Sequence, residues 1–292
     1  MNPTTAELPT TPQSLLPFVL RAMAQTPDVR LRQLMASLTT HLHQFVLENA
    51  LTEAEFEAGI SFLTAIGQAT GPETNEVVLA ADLLGVSTLV AMLNNPGATE
   101  SQAALLGPFW RAGAPLCAAG DSIARDDAHG RVLELGGTVY GDDGQPLAGA
   151  TVDVWQASPK GLYENQDPAQ PEMNLRGRFV TDAAGHYRLR SIVPAGYPVP
   201  TDGPCGDLLR AQQRHPYRPA HLHFMVSAPG HKVLVTQVFV ADDPYLQSDP
   251  VFGVTAPLVG RFVDGGPAGV TTLEQDFRLQ AGATVFPHPP IP

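Results

Sequence analysis

Residues 218–224 read Arg-Pro-Ala-His-Leu-His-Phe, and further apolar residues follow at Val226 and from Val233 to Val235. On a β-strand, side chains two positions apart project from the same face. His221 and His223 can therefore reach one metal ion, while Leu222 points the other way into apolar packing. The stretch predicts a strand with one face buried in a core and a candidate metal site on the other face.

The same spacing occurs at His41-Leu-His43, but the surrounding pattern there is helical. Two positions on a helix are separated by roughly 200° of rotation, so these imidazoles diverge and cannot share an ion. The helix is predicted because apolar residues recur every three or four positions, at Leu31, Leu34, Met35, Leu38, Leu42, Phe45 and Val46.

The first 95 or so residues follow this helical pattern. Thr52 to Glu55 predicts a capping box at the start of one helix, and residues 70–72 end it. A further single helix is expected from about Asn75 to Leu93, with residues 94–97 breaking it. We expect these apolar stripes to form a helix-on-helix core, and such an apolar segment also suits packing against a second copy in a dimer.

The period changes to two from about Val132, and frequent turns separate short strands. Strands are predicted near residues 135–140, 150–156, 221–227 and 233–240, and a turn followed by a strand is predicted from residues 181–187 onward. The predicted fold class is mainly β with α. It comprises an N-terminal helical domain over residues 1–97, for dimerisation, and a β-sandwich domain over residues 98–292, which carries the candidate metal site.

Composition excludes several classes of function. The formal net charge is −12 and the only lysines are Lys160 and Lys232, which argues against binding nucleic acid. No apolar run is long enough to span a bilayer, so membrane insertion is not expected. Residues 1–12 hold no basic side chain, and Cys117 and Cys205 are the only cysteines. We therefore expect no secretory signal, no disulfide framework and a cytoplasmic location.

Two tyrosines in glycine- and proline-bracketed loops complete the candidate site. Tyr163 lies within residues 160–166 and Tyr197 within residues 194–200. A lone loop tyrosine is usually a packing residue, but these two share a β domain with the His-x-His strand. A phenol has a pKa near ~10, so it binds as phenolate only to a strongly polarising cation. Zinc and calcium prefer other donors, and two phenolates with two imidazoles best suit Fe(III).

The chain resembles the intradiol ring-cleavage dioxygenases, which use non-haem Fe(III). The resemblance lies in the helical N-terminal part and in residues 137–157, 177–182, 196–204, 214–224 and 236–239. It implies one Fe(III) per chain, held by Tyr163, Tyr197, His221 and His223. The family pattern often has Tyr-Asp where this chain has Tyr163-Glu164, a departure that leaves the candidate ligand in place.

The resemblance also implies roles for individual residues. Tyr197 is the ligand that the substrate displaces and that takes up a proton, while Tyr163 stays bound. Arg218 stabilises negative charge on the substrate, and Gln237 on the neighbouring strand contributes hydrogen bonds around the site. A homodimer through the N-terminal helices is expected, with a phospholipid at the dimer interface as in many relatives.

Within the family, residues 74–89 and 105–110 look most like members that cleave hydroxyquinol (benzene-1,2,4-triol). Asp82 could accept a hydrogen bond from the third ring hydroxyl, where catechol enzymes are expected to carry an apolar side chain or proline. The expected product is 3-hydroxy-cis,cis-muconate, a tautomer of maleylacetate. The expected pocket consists of Leu79, Asp82, Leu106, Gly107, Pro108, Phe109, Val199, Pro200, Arg218 and Val251.

Three alternatives remain open from the sequence. The chain could be a catechol or chlorocatechol 1,2-dioxygenase, which comparative turnover of the substrates would reveal. It could be a non-catalytic β-sandwich binding module, which would purify without iron or colour. It could also be a helical dimerisation platform with an idle β domain, in which case Tyr197→Phe would leave any activity unchanged.

Overall fold

The computed structural model describes residues 8–72, 74–94, 101–125, 130–265 and 269–289. The chain divides into two compact units, one up to Thr64 and one from Ala65 onward. The predicted boundary between residues 97 and 98 lies outside the described residues, as do residues 95–97 of the predicted helix break.

The first unit is helical. Its elements are α1 (Pro12–Met23), α2 (Val29–Glu48) and the first part of α3 (Glu53–Gln68). The capping box before α3 is confirmed, since the backbone N–H of Thr52 donates to Glu55 Oε2 at 2.9 Å and that of Glu55 donates to Thr52 Oγ1 at 3.3 Å. His41 and His43 lie on α2 as predicted.

The apolar stripe of α2 does not form a core within the single chain, which corrects that expectation. Its large side chains remain about half exposed, at 48% for Leu31 and 53% for Phe45. The periodicity therefore marks an apolar helix face correctly, but the sequence does not show what covers that face.

The single helix expected from about Asn75 to Leu93 is in fact two, α4 (Glu76–Leu83) and α5 (Val86–Leu93), bent by 76°. Gly85 adopts a left-handed backbone with φ of 71°, which glycine tolerates readily. Among the described helices, no single one is long and apolar enough to cross a bilayer. The bent pair passes that test by length and composition alone, as core helices of soluble proteins also can.

The second unit contains α4, α5 and two five-stranded sheets, and the sheets confirm the predicted β-sandwich. Helix α6 (Pro204–Ala211), the two-stranded ribbon of β5 (Tyr197–Pro198) and β6 (Tyr217–Arg218), and the 3-10 turn Ala256–Leu258 lie in the connections. The first sheet contains β1 (Val132–Gly141), β4 (His186–Ile192), β10 (Phe262–Val263), β11 (Thr271–Glu274) and β12 (Phe277–Leu279). The second has the order β3 (Arg176–Val180), β2 (Thr151–Gln156), β7 (His221–Ser227), β8 (Leu234–Val240) and β9 (Val259–Gly260).

The sandwich core lies between the two sheets and is filled by alternate side chains of each strand. On β7, Leu222, Phe224 and Val226 are fully buried in it. Burying one such side chain contributes about 1.5–3 kcal/mol, so the core fixes the orientation of the strand. The intervening residues of β7 point to the outer face of the second sheet.

Candidate active site

The two histidines of β7 lie on that outer face. His221 is paired with Phe239 and His223 with Gln237 on β8. Both side chains are buried, and their Nε2 atoms are 3.0 Å apart. The structure therefore brings the two imidazole nitrogens to one point.

Both imidazoles are neutral at physiological pH. Burial, together with the nearby Arg218 cation, lowers the pKa of His221 to about 3, and burial lowers the pKa of His223 well below its usual value. Nδ1 of His221 lies 2.7 Å from the carbonyl oxygen of Pro219. Because a carbonyl only accepts, Nδ1 carries the proton and Nε2 of His221 presents a lone pair.

The two predicted tyrosines flank the histidines. The ring centroids of Tyr163 and Tyr197 are 5.3 Å apart. The centroid of Tyr197 lies 5.4 Å from that of His221, and the centroid of Tyr163 lies 6.2 Å from that of His223. Both tyrosines are buried. Burial and the neighbouring Tyr197 raise the pKa of Tyr163 well above its usual value. Four rings from β7, β5 and the loop after β2 thus converge on one buried point.

This arrangement fits a metal ion. The buried hydroxyl of Tyr163 makes no hydrogen bond of ordinary geometry to any described residue, which is costly unless a further group completes it. Among the residues that the structure describes, no group of three or more His, Cys, Asp or Glu is placed to hold a metal. A metal ion at this point would therefore depend on the tyrosines as well as on the histidine lone pairs.

Arg218 lies beside the cluster on β6 and is buried rather than part of a surface ion pair. Its Nε and Nη2 donate to the two carboxylate oxygens of Asp249 at 3.1 and 3.0 Å. Nη2 also donates to Gln237 Oε1 at 3.0 Å, and Nη1 lies 3.4 Å from His221 Nε2. Burial alone would raise the pKa of Asp249, but the guanidinium reverses this and lowers it.

Gln237 connects this network to the loop that precedes the sandwich. Its amide nitrogen donates to the carbonyl oxygen of Leu105 at 2.7 Å and lies 3.4 Å from His223 Nδ1. Gln237 therefore makes hydrogen bonds to both the Arg218 side chain and the backbone of this loop.

Sequence reasoning missed Asp249 and Arg176. Asp249 sits in a turn, 31 residues from its partner in the chain, and only its position before Pro250 is a local signal. Arg176 is buried on β3 and paired with Glu164, a carboxylate that was noted only as a departure from the family pattern.

Several predicted pocket residues contact the four-ring cluster. Phe109 stacks on Tyr163 at 4.4 Å and meets Tyr197 edge-on at 6.0 Å. Leu106 packs against the same cluster. A Cβ on Gly107, where φ is 73°, would lie 3.3 Å from the His223 ring. This tight approach favours glycine at position 107.

The remaining apolar pocket candidates have less direct evidence. Val199 and Val251 are buried, and the Val251 carbonyl accepts a hydrogen bond from Thr88 at 3.2 Å. The others are half-buried near residues already described: Leu79 one turn before Asp82, Pro108 before Phe109, and Pro200 after Val199.

Asp82 lies on α4 within electrostatic range of the arginine network. Burial raises its pKa, while a hydrogen bond from Ser87 and the charge of Arg218 oppose the rise and Asp249 adds to it. A solvated helix residue would not show this environment. The structure thus places a half-buried carboxylate within electrostatic range of Arg218 and Asp249.

Comparisons with known proteins agree with this geometry. Residues 105–281 match the family model described as "Dioxygenase", and residues 28–102 match "Catechol dioxygenase N terminus".

Named relatives and a solved structure cover most of the chain. It is 45% identical to 6-chlorohydroxyquinol 1,2-dioxygenase of Cupriavidus pinatubonensis, over 91% of this chain and 96% of the relative. It is 46% identical to hydroxyquinol 1,2-dioxygenase of a Rhizobium species, over 84% and 83%. The crystal structure of hydroxyquinol 1,2-dioxygenase from Pseudomonas putida superposes with a TM-score of 0.87 at 40% identity, over 93% of this chain and 99% of that one. The resemblance noted in the sequence is thereby confirmed, and the chain belongs to the intradiol ring-cleavage dioxygenases.

Proposed function

We propose that this enzyme holds one Fe(III) through Tyr163, Tyr197, His221 and His223 and uses O2 to cleave hydroxyquinol between its two adjacent hydroxyl-bearing carbons. The observation that carries the proposal is the convergence of two neutral imidazoles and two buried phenols beside a buried arginine and carboxylate. The names of the relatives from Cupriavidus, Rhizobium and Pseudomonas support the choice of a triol.

When bound, Fe(III) would withdraw electron density from the substrate oxygens, so that a ring carbon can react with O2. The side chains determine the rest. Tyr197 lies opposite Arg218 in the β5–β6 ribbon. It would be held at the metal as the phenolate, and its oxygen would take up the proton that a substrate hydroxyl releases on binding. Tyr163 is enclosed by the stacked Phe109 ring, and we assign it the role of the ligand that stays.

Arg218 contributes a fixed positive charge. Asp249 and Gln237 hold its guanidinium in one orientation, so little reorganisation is needed when negative charge develops on the substrate ring. This preorganised charge is the main contribution of the protein to the ring-opening step.

Asp82 provides the proposed preference for a third hydroxyl. Its carboxylate accepts a hydrogen bond from the hydroxyl at ring position 4, which catechol lacks. A site built to bond a hydroxyl discriminates strongly against an analogue without it, because its own polar group is then left unpaired. Both oxygen atoms of O2 enter the product, 3-hydroxy-cis,cis-muconate or its tautomer maleylacetate.

The test combines iron analysis, a visible spectrum and turnover of hydroxyquinol, 6-chlorohydroxyquinol and catechol. We expect about one iron per chain, a phenolate-to-iron charge-transfer band, and a preference for the triols. Asp82→Ala should lower kcat/KM for hydroxyquinol about 10- to 100-fold and leave catechol turnover unchanged. A wild-type preference for catechol would refute the role of Asp82, and colourless, iron-free protein after ferric loading would refute the metal site.

We also propose that the helical part pairs two copies of the chain, with a phospholipid at the interface, and that residues 98–292 form the catalytic part, to whose pocket α4 adds Leu79 and Asp82. The half-exposed apolar faces of α2 and α3 support this, with Leu42 55%, Phe56 57% and Leu63 61% exposed. Native mass spectrometry should give a dimer, and solvent extraction should release a lipid. A monomer that carries no lipid would contradict this proposal.

A further inference from the structure

A buried charged cluster lies behind Tyr163 and has no part in the function proposed above. Arg176 on β3 donates from Nε to Glu164 Oε2 at 2.6 Å, and both side chains are almost completely buried. The other oxygen of Glu164 accepts a hydrogen bond from Arg111 at 2.5 Å. Burying an ion pair brings little net stability, so its presence beside a candidate ligand calls for another explanation.

The cluster presents positive charge toward Tyr163. One buried carboxylate is shared between two guanidinium groups, and Arg111, the more exposed of the two at 36%, also lies 3.6 Å from the surface carboxylate of Glu172. The Cζ atom of Arg176 lies 5.8 Å from the centroid of the Tyr163 ring. Because both side chains are buried, solvent screens the charge of Arg176 little, and the Glu164 carboxylate is the group that partly offsets it.

The surroundings of Arg176 hold it in this place. It is in register with Trp155 on the neighbouring strand, and the Trp155 ring stacks on His223 at 4.8 Å. The buried Nη1 of Arg176 has no hydrogen-bond partner in the described ranges of the chain. The hydrogen bond from Nε thus fixes the guanidinium, while the N–H groups of Nη1 make no hydrogen bond to any described residue.

We propose that Arg176 is a positioning residue that sets how strongly Tyr163 donates electron density to the iron. Its positive charge stabilises negative charge on the Tyr163 ring and oxygen, and so weakens that donation. Glu164 holds Arg176 in place. This inference rests on the proposed iron site, and it concerns Tyr163 rather than the substrate-facing groups Arg218 and Asp82.

The test is the visible charge-transfer band of iron-loaded variants. Arg176→Gln removes the charge, which raises the filled orbitals of the Tyr163 phenolate toward the empty iron orbitals, so the band should move to longer wavelength. Arg176→Lys keeps the positive charge, so its charge-transfer band should lie close to the wild-type wavelength. Arg178→Gln is the matched control, because Arg178 lies on the same face of β3 but donates from Nε to the Ala114 carbonyl at 2.7 Å. Its band should not move.

Kinetics provide a second measurement. We expect kcat for hydroxyquinol to fall by about tenfold or more in Arg176→Gln while KM changes little, since Arg176 is assigned no substrate contact. If this variant does not fold, the double variant Glu164→Gln/Arg176→Gln removes both members of the buried pair. Its band should move in the same direction but less far, because a negative charge is removed with the positive one.

The outcomes separate the two proposals. A wild-type band at the expected intensity with no shift in Arg176→Gln or in the double variant would overturn the role of Arg176 and leave the iron site standing. An equal shift in Arg178→Gln would also overturn it. Absence of any band in iron-loaded wild-type protein would instead refute the iron site itself.

Discussion

Replacing Asp249 by asparagine tests whether the buried ion pair supports both the fold and the chemistry. The carboxylate accepts four hydrogen bonds, two from Arg218 and one each from the backbone N–H groups of Val251 and Gly253. Asparagine removes the negative charge and turns one acceptor into a donor that faces other donors. The Arg218 cation then stays buried without a counter-charge.

The expected loss follows from this burial. The side chains of Arg218 and Asp249 are only 5% and 2% exposed. Leaving one member of such a pair unpaired costs about 3–5 kcal/mol, a large share of the roughly 5–15 kcal/mol that stabilises an ordinary domain. We also expect kcat/KM for hydroxyquinol to fall about 10- to 100-fold, since Arg218 loses its orientation beside His221.

Urea unfolding followed by tryptophan fluorescence measures the first effect, and steady-state kinetics measure the second. Asp264→Asn is the control, because Asp264 pairs with Arg131 at 2.6 Å on the surface, where both side chains are more than half exposed. That variant should change stability little. If Asp249→Asn cost no more stability than Asp264→Asn and left kcat/KM unchanged, the buried pair would have neither of the assigned roles.

Three further predictions follow from individual contacts. Gly253→Ala would bring a Cβ within 2.7 Å of Arg218 Nη2. It should lower the free energy of unfolding by about 1–3 kcal/mol and reduce kcat/KM. Wild-type values of both quantities would contradict this close packing. Burial raises the pKa of Asp153 to about 6, so the folded state binds its proton more tightly than the unfolded chain does. As the pH rises from 4 to 6, the free energy of unfolding should therefore fall by up to about 3 kcal/mol. Asp153→Asn should therefore be more stable than wild type above pH 6 and equal to it below pH 4 in urea titrations, and a gain that persisted at pH 3 would refute this. If the proposed iron is bound, a chelator should abolish its visible band and lower the melting temperature, and ferric ion should restore both. A melting temperature that did not respond to chelator or ferric ion would contradict a contribution of the metal to stability.

Local patterns were enough to predict part of the site. The strand period around His221 and His223 places both imidazoles on one face, because alternation along a strand depends only on neighbouring residues. The two tyrosines were found through their loop motifs and the family resemblance. The sandwich was predictable because short strands and frequent turns recur through the second half of the chain.

Long-range contacts and one backbone bend were not predictable. The apolar pattern from Asn75 to Leu93 continues through Leu84 and Gly85, so periodicity gave no sign of the 76° bend between α4 and α5. Asp249 acquires its importance only when the fold brings it to Arg218. Likewise, nothing near Arg176 in the sequence indicates that its charge is buried behind a tyrosine.

The two faces of β7 have a consequence for how this enzyme can change. A slip of one residue in the pairing of β7 would move the histidines to the core face and Leu222 and Phe224 to the outer face. The candidate metal site would lose its imidazoles, and the sandwich core would lose packed side chains at the same time. The strand therefore admits almost no gradual adjustment. Diversification toward other ring substituents is left to positions outside the ladder, such as Leu79, Leu106 and Val251, where a new side chain can reshape the proposed cavity wall without shifting β7.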